Sequence, residues 1–457
     1  MPFIMGKTAG GGASRPAAAA GALALITLLG GCADGSSPGA SMFGGARPSD
    51  LAATGANSTE ISLAAGDSAA RGEQRSAIID ALIARRSVLP GGGSYGQVAT
   101  AVLAANKGSA AAELRVARLK AEAKAKNWLP SIGPSLSLTS LGSLAASILV
   151  EQVLFDNGKH KAERAFAAAD VEIAAVGLSE EMNTRVYEGL AYYVTAQRAN
   201  AQAQVASNGM GRMQEYGRIM GLRVSGGLSD RSEERVILQK IAEMQAALSS
   251  DQEAAATAME ELNAMAQVPV AGLSGLAPLA ANPALEPLAV LRANGEGRRM
   301  IAEAKMARAG FVPGLSASGD LGAGGFTGGL SVRTDNGIGF GMGASLRALE
   351  ASEQVALQRA EAARDDATRR VVALERQIAT LKAQETQGAA VLAQSAGSLK
   401  MFGAQYKYGR RPLMELVGMF ESFTQMEREN VGLKYDIAIL SLQIARIRGV
   451  LVDGARM

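Results

Sequence analysis

Two halves of this chain repeat one another at a spacing of about 182 residues, and any fold must accommodate that duplication. Each half has a short alternating Gly/Ser-rich stretch, a very long Ala/Glu/Arg-rich run, a glycine break and a second helical run. The first contains Asn127–Ser140 and breaks at Gly226–Glu233; the second contains Gly310–Asp320 and breaks at Tyr406–Glu415. Pro130 and Pro313 are 183 apart, and the two Ala-Glu-Ala-Lys segments starting at Ala121 and Ala302 are 181 apart. Gly227–Glu233 and Gly409–Glu415 share one spacing and lie 182 apart.

Within each half the period of the pattern changes. Ile132, Pro134, Leu136 and Leu138 alternate with Gly133, Ser135, Ser137 and Thr139, a strand pattern, and Ala145–Phe155 returns as a second strand. Leu149 and Val153 blur the two faces of that second strand. From Lys159 to about Ser225 the spacing is helical, with Gly209 and Gly211 as points of local fraying, and this stretch is close to 100 Å long if wholly helical. Gly226-Gly227 breaks it, and a second helix returns to Pro269. The second half predicts strands over Val312–Asp320 and Gly325–Val332, and a turn at Asn336-Gly337. Gly339, Gly341 and Gly343, alternating with Phe340, Met342 and Ala344, extend the strand pattern. Helix is expected from Leu349 to about Lys407, broken at Gly409 and restarted at Pro412.

The N-terminal end reads as an address. Lys7 and Arg15 precede the small apolar stretch Ala17–Leu29, the charge order of an export signal. Leu29-Gly30-Gly31-Cys32 resembles the bacterial lipoprotein processing box, which implies cleavage before Cys32 and a covalent lipid, such as palmitate, on that residue. A plain signal peptide with an incidental cysteine is the competing reading. Cys32 is the only cysteine, so no disulfide can form within one chain.

The expected organisation is a signal peptide over 1–31, a flexible lipid-anchored tether over 32–83 and N-terminal helices over 84–126. The first repeat follows over 127–269, a linker and short helix over 270–309, the second repeat over 310–452 and a tail over 453–457.

Composition limits the alternatives. One Trp, eight Tyr and ten Phe in 457 residues are few for large compact cores, and small side chains suit closely approaching helices. Net charge is +3 with signs intermixed, so no concentrated basic face points to nucleic acid. The lone histidine, His160, has no companion ligand for a metal and no nucleophile for a triad, and no phosphate loop is present. No enzyme and no cofactor beyond the lipid are expected.

Two strand hairpins cannot close a barrel in lipid, and an open edge there leaves backbone groups unpaired, so several chains must share one barrel. Leu154–Glu163, Arg223–Glu233 and Tyr406–Val417, in their order and duplication, resemble the signature segments of the TolC family of outer-membrane export channels, over nearly all of residues 87–453. The resemblance implies a mainly α fold with a membrane β-barrel: a homotrimer sharing a 12-stranded barrel continued by an α-helical cylinder into the periplasm. It implies outer-membrane lipids, a periplasmic membrane-fusion adaptor and an inner-membrane pump or ABC transporter as partners, for efflux or type I secretion. Gly227 and Gly409 then lie at the helical turns, and Glu233, Tyr406, Arg411 and Glu415 match gate positions. For each of the charged residues an ordinary solvated helix charge is the alternative, and for Tyr406 a packed ring. The family's second acidic position, three beyond the first, is Gly418 here, which weakens the expected charge ring. A lipid-anchored structural protein of the periplasm, with no pore, is the other functional class.

Overall fold

The computed structural model describes residues 76–140, 143–270, 272–280, 285–322, 325–335 and 342–456. The signal segment, Cys32, most of the expected tether and the Asn336-Gly337 turn lie outside them.

Three helices come first: α1 (Ala77–Ile83), α2 (Ser94–Ala104) and α3 (Ala110–Ala125). Strands β1 (Ser131–Ser140) and β2 (Ser143–Phe155) follow, then α4 (Lys159–Ser225) and α5 (Arg231–Ala266). After α6 (Leu288–Ala309) the pattern recurs with β3 (Gly314–Gly322), β4 (Gly325–Arg333), α7 (Met342–Lys407) and α8 (Leu413–Ile447).

Two boundaries differ from expectation. Helix α1 occupies the end of the stretch expected to be tether, because Ser76 caps it by accepting from the Ile79 amide and Ile78 and Leu82, one turn apart, are buried. Helix α7 begins at Met342, not Leu349, so the alternating glycines do not carry a strand as far as Ala344. Ala344, Leu346, Arg347 and Ala348 are strong helix formers, and adding turns to an existing helix costs far less than starting one.

Helix α4 is the spine. Of its 67 residues 21 are buried, whereas α7, with 66, buries only Ala356, Ala367 and Val371. The expected fraying at Gly209 and Gly211 does not occur, and α4 runs through both. Gly209 is a packing position: a Cβ there would lie 2.6 Å from Thr424 Cγ2 and 2.8 Å from Met244 Cε, side chains of α8 and α5 that meet over it. Nearby, Arg428 on α8 forks onto Asp251 on α5 through two bonds of 2.9 and 2.6 Å. Arg198 on α4 pairs with Asp436 on α8 at 2.8 Å.

The main core gathers α1, α2, α3, α6 and the ends of α5 and α8 around the first half of α4, with Leu82, Val98, Leu114, Leu190, Leu262 and Leu442 fully buried. Tyr95 and Tyr193 meet edge to face at 6.1 Å. The chain's segments are tied there by backbone: Val88 donates to the Val450 carbonyl and Ala280 to the Val88 carbonyl, each at 2.9 Å. The Arg85 guanidinium, almost fully buried, donates to the carbonyls of Arg448 and Glu286, and burial lowers its pKa to about 10 against the attraction of Glu286.

The four strands form one antiparallel sheet in the order β1-β2-β3-β4. Register sorts its faces. Ile132 opposes Val150, Ile148 opposes Leu321, Leu321 opposes Phe326, Ala317 opposes Leu330 and Leu315 opposes Val332, all on one side. On the other side lie Ser131, Gly133, Glu151, Ser316, Ser318, Asp320, Thr327, Ser331 and Arg333, with Leu149 and Val153 as the apolar exceptions. The apolar side is bare: Ile132, Phe326, Leu330 and Val332 are between 71% and 73% exposed. A bulge at Leu154 shifts the register so that Phe155 opposes Leu315 and joins this apolar side. Hydroxyls knit the polar side, with Ser147 donating to Asp320 at 2.6 Å and Ser316 bonding Ser331 at 2.8 Å.

Candidate functional site

The expected gate residues converge on the two helical turns. Gly227 and Gly409 adopt φ of +72° and +68°, left-handed values that let a helix end where a side chain would be strained. The hydrogen bonds around them repeat bond for bond at the 182-residue offset. Leu228 donates to the Arg223 carbonyl at 2.7 Å and Arg410 to the Gln405 carbonyl at 2.9 Å. Gly227 donates to Val224 at 3.1 Å and Gly409 to Tyr406 at 2.9 Å. Each glycine thus closes the same double cap, which satisfies carbonyls that the helix leaves free.

Side chains complete the caps differently. In the second turn Arg411 donates through Nε to Gln405 Oε1 at 2.6 Å, pairs with Glu415 through Nη1, and lies over the Phe402 ring at 4.1 Å from its centroid. One guanidinium therefore ties the end of α7 to the start of α8 through a hydrogen bond, an ion pair and a cation–π contact. In the first turn Arg223 donates through Nε to Ser229 Oγ at 3.0 Å. Asp230 caps α5 by accepting from the Ser232 amide, where the second repeat has Pro412.

Of the sequence-predicted residues, then, Arg411 and Glu415 are brought together. Glu233, half-buried in the first turn of α5, has no side-chain partner among the described residues, because Ser229 stands where the second repeat has Arg411. Tyr406 packs beside an apolar cluster of Met213, Met220, Ile237, Leu413, Val417 and Phe420, and its hydroxyl makes no hydrogen bond among the described residues. That cluster joins the tips of the two hairpins to each other. Sequence reading missed Arg223, Ser229, Phe402 and Gln405, although the 182-residue offset places Arg223 on Gln405 and Ser229 on Arg411.

At the other end of α4, His160 Nδ1 lies 2.6 Å from Asp156 Oδ2. No group of three His, Cys, Asp or Glu side chains could hold a metal among the described residues. No described helix is long and apolar enough to cross a membrane.

The arrangement of two strand hairpins and two long helical hairpins occurs in solved structures. The outer membrane protein VceC of Vibrio cholerae is 16% identical with a TM-score of 0.66, over 77% of this chain and 96% of that one. The CmeC outer membrane channel of Campylobacter jejuni is 12% identical with a TM-score of 0.64, over 78% and 86%. The MtrE outer membrane channel of Neisseria gonorrhoeae, in its open state, is 16% identical with a TM-score of 0.61, over 82% and 89%. The chain has the fold of outer-membrane channels. No protein-family model and no curated protein matches the sequence.

Proposed function

We propose that the protein is a subunit of a passive outer-membrane exit channel, the last segment of a tripartite efflux or type I secretion system. The observation that carries this reading is the sheet: one face is bare and apolar apart from Gln152, the other is lined by Ser, Thr, Gly and a few charges beside Leu149 and Val153, and β1 and β4 each pair on one side only among the described residues. Lipid suits the first face and water the second. Unpaired strand edges in hydrocarbon are too costly to persist, so the sheet closes with further copies of itself. Two copies give eight strands, whose interior side chains fill; three give twelve and leave a lumen. The bare apolar residues of α7, among them Leu357 and Met401, find cover in the same assembly.

In this reading the helical hairpins extend into the periplasm, and their turns meet an adaptor that couples the channel to an inner-membrane pump or ABC transporter. Glu233, Tyr406, Arg411 and Glu415 form the gate at that mouth, and Cys32 carries the lipid anchor. The chain's role is conduction, with energy supplied by the pump.

The test is to purify the full-length protein from membranes, weigh the complex in detergent and measure conductance in planar bilayers. Three copies and discrete channel steps are expected. A single copy without conductance would replace this reading with the anchored, pore-free structural protein.

A further inference from the structure

We infer that the chain binds the phosphate of an anionic lipid headgroup in a basic pocket at the foot of the apolar sheet face, a reading that rests on the outer-membrane assignment above. The pocket lies where the strands give way to helices, between the start of α4 and the end of α6. It is a cavity of about 430 Å³ lined by Asn157, Gly158, Lys161, Lys305, Arg308 and Val312, with alanine methyls between them. No carboxylate lines it.

The surrounding cations make the contrast. Lys124 is matched by Glu163 at 3.0 Å, Lys159 by Asp335, and Arg299 by Asp170 at 3.4 Å. Lys161, Lys305 and Arg308 have neither an ion pair nor a side-chain hydrogen bond among the described residues, although they share one concavity. Three like charges drawn together repel, and that cost is offset when an anion occupies the space between them. A tetrahedral phosphate offers acceptors to two ammonium groups and one guanidinium at once.

Position selects a lipid phosphate. Lys159 instead lines an adjoining cavity with Glu151, Ser316, Arg333 and Asp335, and the two cavities meet at Ala309 and Val312. Lys161, two residues on, is about 200° further round the helix and turns away from the cavity that Lys159 lines. Val312, exposed at the pocket's rim, leads directly into β3. Trp128, the chain's only tryptophan, is 62% exposed at the same end of the sheet. Its neighbour Asn127 donates to the His160 carbonyl, one residue before Lys161, at 3.2 Å. An exposed tryptophan beside lysines at the end of apolar strands marks a headgroup level, and basic pockets between helices at that level hold anionic headgroups.

The experiment uses full-length protein extracted in detergent and stripped of lipid, titrated with short-chain phosphatidylglycerol brominated on its acyl chains. Binding is read by quenching of Trp128. Phosphatidylglycerol is expected to bind at least 10-fold more tightly than the zwitterionic phosphatidylcholine. The triple variant Lys161→Gln, Lys305→Gln, Arg308→Gln is expected to reduce that ratio to near one while keeping wild-type helicity and assembly mass. A variant that retains the preference overturns the proposal. So does inorganic phosphate at micromolar concentration displacing the brominated lipid from wild-type protein, which would make the pocket a site for free phosphate. Wild-type protein with no preference overturns it as well. Conductance of the same preparations separates the two readings: a conducting wild type without lipid preference keeps the channel and loses the pocket, and selective binding without conductance does the reverse.

Discussion

Arg223 and Arg411 stand at opposite ends of one repeated hydrogen bond. The bond joins the position four before the left-handed glycine to the position two beyond it. In the first turn the arginine is on the α4 side and reaches Ser229; in the second it is on the far side and reaches Gln405. The swap leaves the two acidic positions unequal, with Glu415 neutralised by Arg411 and Glu233 unpaired among the described residues.

Replacing Arg411 by alanine removes the tie between α7 and α8 and leaves Glu415 as free as Glu233. Conductance in planar bilayers is expected to rise several-fold, and Glu415→Ala to raise it less, because Gln405 and Phe402 still hold the guanidinium. The pair is exposed, so unfolding stability should change by no more than about 1 kcal/mol. Unaltered conductance in both variants would remove these residues from the gate.

Gly209 and Gly211 offer a matched comparison on one helix. Gly209→Ala drives a methyl toward Thr424 and Met244 and is expected to cost roughly 1–3 kcal/mol. Gly211 has nothing within 4 Å of its added Cβ, so Gly211→Ala should stabilise by up to about 1 kcal/mol through helix propensity alone. Denaturant titration of both variants checks the sign of each.

Acid should loosen the start of α4. Burial pushes the Asp156 carboxyl up, but hydrogen bonds from the His160 and Gly158 amides outweigh it and the pKa is lowered. Burial likewise raises Glu163, and hydrogen bonds from Lys124 and Asn127 bring it below its ordinary value of 4.5. A lowered pKa in the folded chain gives stability that is complete above the ordinary value and lost as pH falls through the folded one. Amide exchange in the first turns of α4, corrected for the intrinsic pH dependence, should therefore lose protection below about pH 4.5, while that of α8 near Leu442 holds. Equal loss at both places would argue against this local origin.

Much of this was legible because duplication repeats its signals. Pro130 and Pro313 announced the strand hairpins, and Gly227 and Gly409, each followed six residues later by Glu, announced the turns. What stayed hidden depends on contacts between distant residues. Gly209 reads locally as a weak point in a helix, and only the meeting of Thr424 with Met244 shows why nothing larger fits. The run from Gly339 to Ala344 has the two-residue period of a strand, yet from Met342 onward it is helix. Six residues are too few for period to overrule the helix formers beside them. The partnership of Arg411 with Gln405 needed the cap geometry, since six positions apart they would face differently on a continuous helix.

The inequality between α4 and α7 bears on the moments after synthesis. Much of the packing around α4 can form early, since α4 closes against α2, α3, α5 and α6, and α8 joins it last. In the second repeat α7 packs against α6 and α8 yet buries only three of its 66 residues, and it holds Leu357 and Met401 in water until another surface arrives. A newly made chain is thus sticky for as long as α7 is uncovered, and its stability rises with the concentration of whatever covers that helix. Crowding copies together at one site of delivery would shorten that interval, so where the chain is sent matters to whether it survives.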